Sequence, residues 1–325
     1  MSAIELPVPG PAPGARIRPP ESPPWRLRDR LGLGLAWLLG LLFCAVAVAI
    51  VLYFLVQGIK YVRPELFVTN PSVNASTSVA TGGFLDPLLG TLLVTALAMS
   101  IALPVGIAVA VWLSEYGRPA ALARIAESSI EMIAGTPSIV LALFGVLLFE
   151  SPALGFLSRM SGGVVYGRSF FAGAAMLSLV GLPLVVTNVR AGLQAIPNHV
   201  REASYALGKT KIATTRRVLL PAARPSVLTG AMLGAGRVIG DTAIIVVLLG
   251  GTLTFNSAGS VPLLSTLQGT GATLTYYVFY NAPTGEGNQP GKAYAAAFVL
   301  LAIVLALNVG VDVATRRSRR LRWSS

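Results

Sequence analysis

The chain has 325 residues, of which 54% are hydrophobic and 12% are charged, and its mean hydropathy is +0.71. A soluble domain of this length carries about a quarter charged residues, so the composition predicts a polytopic membrane protein. The formal net charge of +12 would suit a nucleic-acid partner, but the cations lie in the connections between apolar segments. That placement indicates membrane topology, and we expect no nucleic acid among the partners.

The first thirty residues are rich in proline and glycine, a composition that cannot bury a core. We therefore predict a disordered cytoplasmic tail over residues 1–30 and a six-span permease domain over residues 31–325. The apolar segment that follows the tail is too long for the hydrophobic region of a signal peptide, so we expect it to be the first membrane helix.

Six apolar segments are each long enough to cross the roughly 30 Å of hydrocarbon in a lipid bilayer. They are Leu33–Val56, Leu85–Ser114, Ile130–Phe149, Ser169–Val189, Ser226–Gly250 and Ala293–Val311. Pro104 and Pro183 lie inside the second and fourth segments, where we expect kinks. Pro137 lies in the third segment, whose beginning is the least well defined.

The Lys and Arg residues between the spans predict the orientation of the chain. Nineteen of them lie in the tail, in the connections after the second and fourth spans, and after the sixth span, against five on the opposite side. Because short cytoplasmic loops carry an excess of Lys and Arg, both termini and the connection after the fourth span are predicted to be cytoplasmic.

That connection carries a spaced motif of Glu202, Ala203 and a small residue, then Gly208 after three residues, and Val-Leu-Leu-Pro221 after nine more. The spacing resembles the EAA loop of binding-protein-dependent ABC importer permeases, through which the membrane subunit docks on a separate ATPase. The alternative interpretation is an ordinary connector between two membrane helices.

The same loop predicts two short helices. Asn198 can cap the first of them, and Gly208 occupies the position where a left-handed residue ends a helix. A second short helix is predicted from Thr210 to Leu219, before Pro221 and Pro225 break it. Two short helices joined at a glycine would form a stiff protrusion that can transmit a rigid-body movement.

The fifth span contains two charged residues, Arg237 and Asp241, on the same predicted helix face. Ionisable groups inside a span are costly and point to function, although a mutual salt bridge that orients the helix is the alternative. Arg237 offers a planar fork suited to an oxyanion, and Thr242 adds a hydroxyl group. We expect Asp241 to neutralise Arg237 or to accept a hydrogen bond from a protonated oxyanion.

Small residues surround this pair and predict a close approach by another helix. They are Gly230, Gly234, Gly236 and Gly240. A closely packed seam beside an arginine is what a small anion would need to cross between two helix bundles.

A second group of polar residues lies near the start of the third span. Glu127 and Glu131 share one helix face, with Arg124 as the expected partner of Glu127. We expect a structural role for Glu127, and for Glu131, Thr136 and Ser138 a role in lining a cavity. No nucleophile or set of metal ligands accompanies these carboxylates, so neither acid–base catalysis nor a metal site is expected.

The chain lacks a nucleotide-binding loop of its own. The sequence Gly208-Lys209-Thr210 looks like the end of a Walker A motif, but the first glycine of that motif would fall on Ala203. The backbone nest that holds phosphates cannot form there. We therefore expect no cofactor in this chain.

Four segments together resemble the permease family of phosphate importers, and specifically its PstA-type half. They are Ser114–Arg118, Thr136–Val140, Arg201–Gly208 and Gly236–Ala243. The resemblance extends over about residues 85–312, and the coupling loop falls at residues 197–221. The family usually has Glu where this chain has Asp241, which shortens the reach of that carboxylate.

The resemblance implies an all-α protein with six transmembrane helices and the architecture of a type I ABC importer permease. It implies a homologous PstC-type permease as partner, two copies of a cytoplasmic ATPase that binds ATP and Mg, and an extracytoplasmic phosphate-binding protein. The complex would lie in a bacterial-type cytoplasmic membrane.

Two other kinds of transporter compete with this interpretation. A permease for sulfate, molybdate or phosphonate would share the docking loop. A secondary transporter or channel that works alone would need its own coupling-ion site or pore ring and would leave the docking loop unexplained. An integral membrane hydrolase lacks a nucleophile and base to support it.

Overall fold

The computed structural model describes residues 27–73, 80–158, 167–249, 253, 255 and 262–320, and these are predominantly helical. The helices are α1 Leu27–Tyr61, α2 Leu85–Val111, α3 Ala120–Gly135, α4 Ser138–Phe149, α5 Phe170–Gln194, α6 Asn198–Ala206, α7 Lys211–Thr214, α8 Leu220–Ala222, α9 Arg224–Ile239, α10 Ala243–Leu248, α11 Pro262–Gln268, α12 Leu274–Asn281 and α13 Pro290–Arg320. Wide π-helical turns extend α2 through Trp112–Tyr116 and α7 through Thr215–Leu219, and 3-10 turns lie at Pro64–Phe67 and Gly155–Leu157. Strands β1 Ser72–Val73 and β2 Ala80–Thr81 form one short antiparallel pair.

The segment up to Tyr53 forms a unit of its own, separate from Phe54–Ser325. Its described part is the first portion of α1, which is apolar all round and exposed along its length, as expected of a helix that faces lipid. Helix α1 begins at Leu27, earlier than the predicted start at Leu33, and so it includes the last residues of the predicted tail. The rest of that tail, residues 1–26, lies outside the described residues.

The six predicted spans are found again when bent helices are counted as single spans. Helices α1, α2, α5 and α13 are each long and apolar enough to cross a membrane, and counting each of two bent helix pairs as one span brings the number among the described residues to six. Pro104 and Pro183 lie inside α2 and α5, and both helices continue through them.

The third predicted span is not one straight helix. Its residues lie in α3 and α4, which meet at an angle of 106°. Thr136 at the corner has an extended backbone, with φ −76° and ψ 129°. The following Pro137 disfavours the helical conformation for the residue before it, which is the physical reason for the bend.

The fifth predicted span is also interrupted. Helix α9 begins at Arg224, bent by 69° from the preceding helical segment Lys211–Ala222, and ends at Ile239. A break of three residues separates it from α10. Gly250, the predicted end of this span, lies outside the described residues.

Helix α5 is the centre of the larger unit, packed against both α2 and α9 through glycines. A Cβ atom on Gly106 of α2 would lie 2.6 Å from Cγ1 of Val185 on α5. A Cβ atom on Gly234 of α9 would lie 3.3 Å from the carbonyl oxygen of Gly181. The absence of side chains lets these backbones approach closely, and without water inside a membrane such packing holds helices together.

The predicted glycine seam therefore divides into two parts. Gly230 and Gly234 face α5 within the same chain, so the close approach predicted for these two glycines is made by a helix of this chain. By contrast, among the described residues a Cβ atom on Gly236 would meet nothing within 4 Å, and one on Gly240 would meet only the carbonyl oxygen of Gly236. In the part of the chain that the structure describes, this second pair leaves open space beside Arg237.

The described parts of the two longest connections, which contain the short strand pair and helices α11 and α12, pack on one end of the bundle. Phe84 lies between Phe67 and Tyr277, with ring centroids 5.2 Å and 6.0 Å away. Asp86 accepts a hydrogen bond from the backbone N–H of Phe255, at 3.3 Å. We call this end of the bundle the far side. The other end carries α6, α7 and α8.

Gly90 tests how tightly the far side is packed. We expect Gly90→Ala to lower the free energy of unfolding by about 1–3 kcal/mol or more, the usual cost of overpacking. The new Cβ atom would lie 2.0 Å from the carbonyl oxygen of Ala272, and a backbone atom cannot rotate away. The measurement is the thermal unfolding midpoint of the protein purified in detergent. Gly40→Ala, in a helix with nothing within 4 Å of the added atom, is the matched control, and equal midpoints for the two variants would contradict the prediction.

Candidate functional site

The loop that the motif predicts forms two helical segments joined at Gly208. Helix α6 is followed by Gly208, which has a φ of +74°, and Thr210 caps α7 by accepting a hydrogen bond from the N–H of Ala213 at 3.3 Å. The left-handed glycine and the start of the second helix are therefore confirmed. The predicted cap at Asn198 is wrong, because Asn198 is already helical and Pro197 takes the cap position without a side-chain hydrogen bond.

The prediction that Pro221 breaks the second helix is also wrong. Helical residues continue through Pro221 to Ala222, and the direction changes only at Ala223. The π turn at Thr215–Leu219 ends just before Leu220, so Pro221 lies in the first turn of a new α segment.

The tip of this loop exposes apolar side chains. Leu207 is 79% exposed, Ile212 is 70% exposed and Tyr205 is 40% exposed. Glu202 and Ala203 of the motif are exposed on the same short helix. The sequence analysis missed Leu207 and Ile212, although two large apolar residues in a basic, polar loop were a signal that could have identified them.

The base of the loop is held by a buried ion pair between Arg201 on α6 and Glu115 in the π turn at the end of α2. Nε and Nη2 of Arg201 donate to Oε1 of Glu115 at 3.1 Å and 2.9 Å. Nη1 donates to the carbonyl oxygen of Ile196 at 2.7 Å, and Nη2 also donates to that of Leu193 at 2.9 Å. The side chains are only 16% and 5% exposed, and removing one partner of such a pair costs about 3–5 kcal/mol.

Two further contacts connect the halves of the loop. The hydroxyl groups of Ser204 and Thr214 are hydrogen-bonded at 2.8 Å and buried. Nζ of Lys211 lies 4.8 Å from the ring centroid of Tyr116, the residue after Glu115. The sequence analysis did not find these pairs, because their partners lie far apart in the chain or across the turn at Gly208.

The break between α9 and α10 places Asp241 differently from the prediction of one continuous helix face. Oδ1 of Asp241 accepts a hydrogen bond from the N–H of Ile244 at 3.0 Å, which caps α10. Oδ2 lies 3.6 Å from Nη1 of Arg237, beyond hydrogen-bond distance. Asp241 is 1% exposed, whereas Arg237 is 48% exposed. The carboxylate is thus fixed by the backbone, and the guanidinium points outward.

Arg237 belongs to an exposed stripe on α9. Thr229, Leu233 and Arg237 follow one another at intervals of four residues, all exposed, and Gly240 ends the stripe. The opposite face of the helix carries the buried Gly230, Gly234 and Val238. A charged side chain on a span is costly against lipid, and such side chains usually face protein or a water-filled cavity.

The other predicted site residues lie apart from this pair. Glu131 is exposed on α3, and Thr136 at the corner donates its hydroxyl to the carbonyl oxygen of Met132 at 2.7 Å. Ser138 is the first residue of α4, and Thr242 lies in the break beside Asp241. Among the described residues, Glu131, Thr136 and Ser138 make no hydrogen bond or ion pair with Arg237 or Asp241.

The expected pairing of Glu127 is wrong. Oε1 of Glu127 lies 2.5 Å from Nη2 of Arg190 on α5, and Arg124 is exposed instead. Sequence spacing favoured Arg124 because it lies one turn away on α3, but the packing of α3 against α5 brings a closer cation. The pair joins two helices, in agreement with the structural role expected for Glu127.

Comparison with known proteins places these features in a family. The family model described as binding-protein-dependent transport system inner membrane component matches residues 102–320. The phosphate transport system permease protein PstA 1 of Mycobacterium tuberculosis (strain ATCC 25618 / H37Rv) is 34% identical over 214 residues, 65% of this chain and 63% of that protein. The alignment thus covers less than two thirds of that relative's length.

Further relatives match over longer stretches. The probable ABC transporter permease protein YqgH of Bacillus subtilis (strain 168) is 31% identical over 238 residues, 70% of this chain and 75% of its own. A phosphate transport system permease protein PstA of Haemophilus influenzae is 27% identical over 278 residues, which are 85% of this chain and 86% of that protein.

Solved structures share the fold. A bacterial alginate ABC transporter, in complex with a periplasmic protein that holds an alginate pentasaccharide, matches with a TM-score of 0.60 at 14% identity, over 89% of this chain and 95% of that one. The MetNI methionine ABC transporter, in inward-facing conformations, matches with a TM-score of 0.51 at 20% identity, over 73% of this chain and 94% of that one. The chain therefore has the fold of an ABC importer's membrane subunit.

Two substitutions of Asp241 separate the contribution of its capping hydrogen bond from that of its negative charge. We expect Asp241→Asn to unfold near the wild-type temperature, because the amide oxygen can still accept from Ile244. Asp241→Leu should lose about 0.5–2 kcal/mol of stability with the cap. Thermal unfolding of the protein in detergent, followed by circular dichroism, makes the comparison. If Asn destabilised as much as Leu, the negative charge and not the cap would be the stabilising feature.

Proposed function

Because the chain belongs to the family of binding-protein-dependent transport system inner membrane components, we propose that it is the permease subunit of an ATP-driven importer that moves inorganic phosphate into the cell. Relatives named as phosphate transport system permease proteins match it over 65% and 85% of its length, which supports the choice of substrate. The observation that carries the proposal is the exposed apolar tip of a loop whose base is fixed to the bundle.

The tip has the properties of a helix that inserts into a groove of another protein. Leu207 and Ile212 would cost free energy if they stayed in water, and burying each in a hydrophobic groove stabilises a complex by about 1.5–3 kcal/mol. Short helices with exposed apolar anchors bind in this way. A cytoplasmic ATPase is the partner that such a loop requires, because the chain carries no complete phosphate-binding loop.

ATP and Mg are bound by that ATPase and not by this chain, which holds no cofactor. Two copies of the ATPase, one for each permease subunit, complete the cytoplasmic side. A PstC-type permease lies beside this chain in the membrane. An extracytoplasmic phosphate-binding protein delivers the substrate, and the periplasmic protein bound to the alginate transporter supports a partner of this type.

Arg237 is the group in this chain that meets the anion. Its guanidinium is charged at all physiological pH values and offers paired donors to the oxygens of phosphate. Half of the side chain is exposed beside the open space at Gly236, where the PstC-type subunit would complete the path. We assign Asp241 the task of holding Arg237 in place, because one carboxylate oxygen is already engaged by the backbone.

The proposed path includes four further residues. Thr242 adjoins Asp241 in the break, and Glu131, Thr136 and Ser138 lie at the corner between α3 and α4. We propose that these residues line the cavity once both permease subunits are assembled. For the coupling loop at residues 197–221, the proposal includes Glu202, Ala203, Gly208 and Pro221.

The proposed orientation follows from the distribution of cations. Both termini lie in the cytoplasm, and the chain crosses a bacterial-type cytoplasmic membrane six times. The domain formed by residues 31–325 is the permease.

Uptake by the whole complex tests the proposed function. The chain is reconstituted in liposomes with its permease partner, the ATPase and the binding protein, and uptake of labelled phosphate, sulfate, molybdate and a phosphonate is measured with and without ATP. We expect ATP-dependent uptake of phosphate. Uptake of one of the other oxyanions alone would assign that substrate instead, and uptake by this chain without the ATPase would identify a secondary transporter.

Arg237→Gln tests the substrate path. We expect uptake of phosphate to fall by at least about a hundredfold, because the loss of a charged hydrogen-bond donor at a desolvated site costs on the order of 3 kcal/mol. Assembly with the ATPase should be unchanged, since Arg237 lies away from the loop. Arg124→Gln, which removes an exposed arginine on α3, is the control. Normal uptake by Arg237→Gln would mean that Arg237 and Asp241 form only an orienting salt bridge.

Gly208 tests the need for a rigid turn in the loop. Space around it is open, so only its φ of +74° opposes a side chain. Gly208→Val should hydrolyse ATP with little transport, because a β-branched residue at positive φ is strained and the two short helices would lose their angle. Gly208→Asn is the matched control, since asparagine adopts this conformation most readily among residues with a side chain. The measurement is phosphate moved per ATP hydrolysed, and equal ratios for Val and Asn would refute the argument.

A further inference from the structure

The geometry points to a mechanical clamp formed by Glu115 and Arg201, which makes α6, called the coupling helix below, move as one body with the ends of α2 and α5. The inference rests on the proposed function, since it concerns how movement of the ATPase reaches the substrate path. Neither residue contacts the proposed path, so both are positioning residues.

The guanidinium of Arg201 joins three separate elements. Its side chain starts on α6, bonds Glu115 at the end of α2, and bonds the carbonyl oxygens of Leu193 and Ile196 at and just beyond the end of α5. Those carbonyls are among the groups that the end of a helix leaves without partners, and a cation there also meets the negative end of the helix dipole. One side chain thus fixes the coupling helix in position relative to both long helices.

The π turn at the end of α2 presents Glu115 and its neighbour to the two halves of the loop. The N–H of Gly117 bonds the carbonyl oxygen of Trp112, five residues earlier, at 2.7 Å, so the turn is wider than in an α-helix. Glu115 meets α6 through Arg201, and Tyr116 meets α7 through Lys211. Wide turns of this kind are frequent at functional sites.

A continuous set of contacts then leads from the clamp to the substrate path. Helix α5 packs against α9 where Gly181 meets Gly234, three residues before Arg237. A displacement of the exposed tip of α6 is therefore transmitted through Arg201 to α5, and through the contact between Gly181 and Gly234 to α9. If the clamp were absent, residues 195–197 would be the only link between α6 and α5 along the chain, and they would bend.

Among the described residues, this pair is more buried on both sides than the ion pair between Glu127 and Arg190. Glu115 is 5% exposed and Arg201 is 16% exposed, whereas Glu127 and Arg190 are 35% and 33% exposed. An arginine held by two hydrogen bonds to a carboxylate and two to backbone carbonyl oxygens has one arrangement, so it transmits displacement instead of absorbing it. Lysine could not replace Arg201, because a single ammonium group cannot reach Glu115 and both carbonyl oxygens in the geometry of the fork.

The test measures coupling in the reconstituted complex. Glu115→Gln, Arg201→Lys and Arg201→Gln are compared with wild type and with the control Arg124→Gln for assembly, for ATP hydrolysis, and for phosphate moved per ATP. We expect the variants to assemble and to hydrolyse ATP, while the ratio falls at least about fivefold, the lower end of coupling between linked sites. The double variant Glu115→Gln/Arg201→Gln should be no worse than Arg201→Gln, because the two residues act as one unit.

Several results would overturn the clamp. These are a wild-type ratio in Glu115→Gln and Arg201→Lys, additive losses in the double variant, or a loss of transport that only follows a loss of assembled complex. The proposed function has its own test outcomes. If the wild-type complex couples ATP hydrolysis to transport of another anion, only the assignment of phosphate is refuted, and the transport ratio of the variants is then measured with that anion. If the wild-type chain binds no ATPase, both the proposed function and the clamp are refuted.

Discussion

The contact of α5 with its neighbours through glycine is the constraint on which the larger unit depends. Gly181 belongs to α5, and Gly106 of α2 and Gly234 of α9 face that helix. Because these glycines have no side chains, the helix backbones approach closely. Inside a bilayer, apolar side chains gain nothing by leaving lipid for protein, so such close contact replaces the hydrophobic effect as the force that holds helices together. The position of α9, and with it that of Arg237, follows from this packing.

The interruption of the fifth span leaves backbone groups that need hydrogen-bond partners, and the surrounding residues supply them. A broken helix leaves backbone groups without partners, which is costly in a membrane. Asp241 accepts from the N–H of Ile244, and the hydroxyl of Thr275 on α12 donates to the carbonyl oxygen of Ile239 at 2.8 Å. Because a backbone group at each end of the break has a hydrogen-bond partner, the segment stays folded while Arg237 remains half exposed.

Distant partners explain most of the differences between the predicted and the observed site. Spacing along one helix predicts neighbours at three and four residues, which is why Arg124 was the expected partner of Glu127. The observed partner, Arg190, lies on another helix. The pairing of Glu115 with Arg201 spans 86 residues in sequence, and no local pattern can reveal it.

The sequence by itself determined that this is a membrane protein, that it has six apolar segments, that it carries the loop motif and that Gly208 is left-handed. Each of these depends on composition, on segment length, on residue spacing or on the φ angle of one residue. The tertiary structure decided where the spans bend, as at Pro137, since a proline can either kink a helix or end it, and the neighbouring helices select the outcome. It also decided that Asp241 caps α10 instead of continuing the face of Arg237. The exposure of Leu207 was likewise a tertiary result, because burial depends on which helices surround a residue and not on its identity.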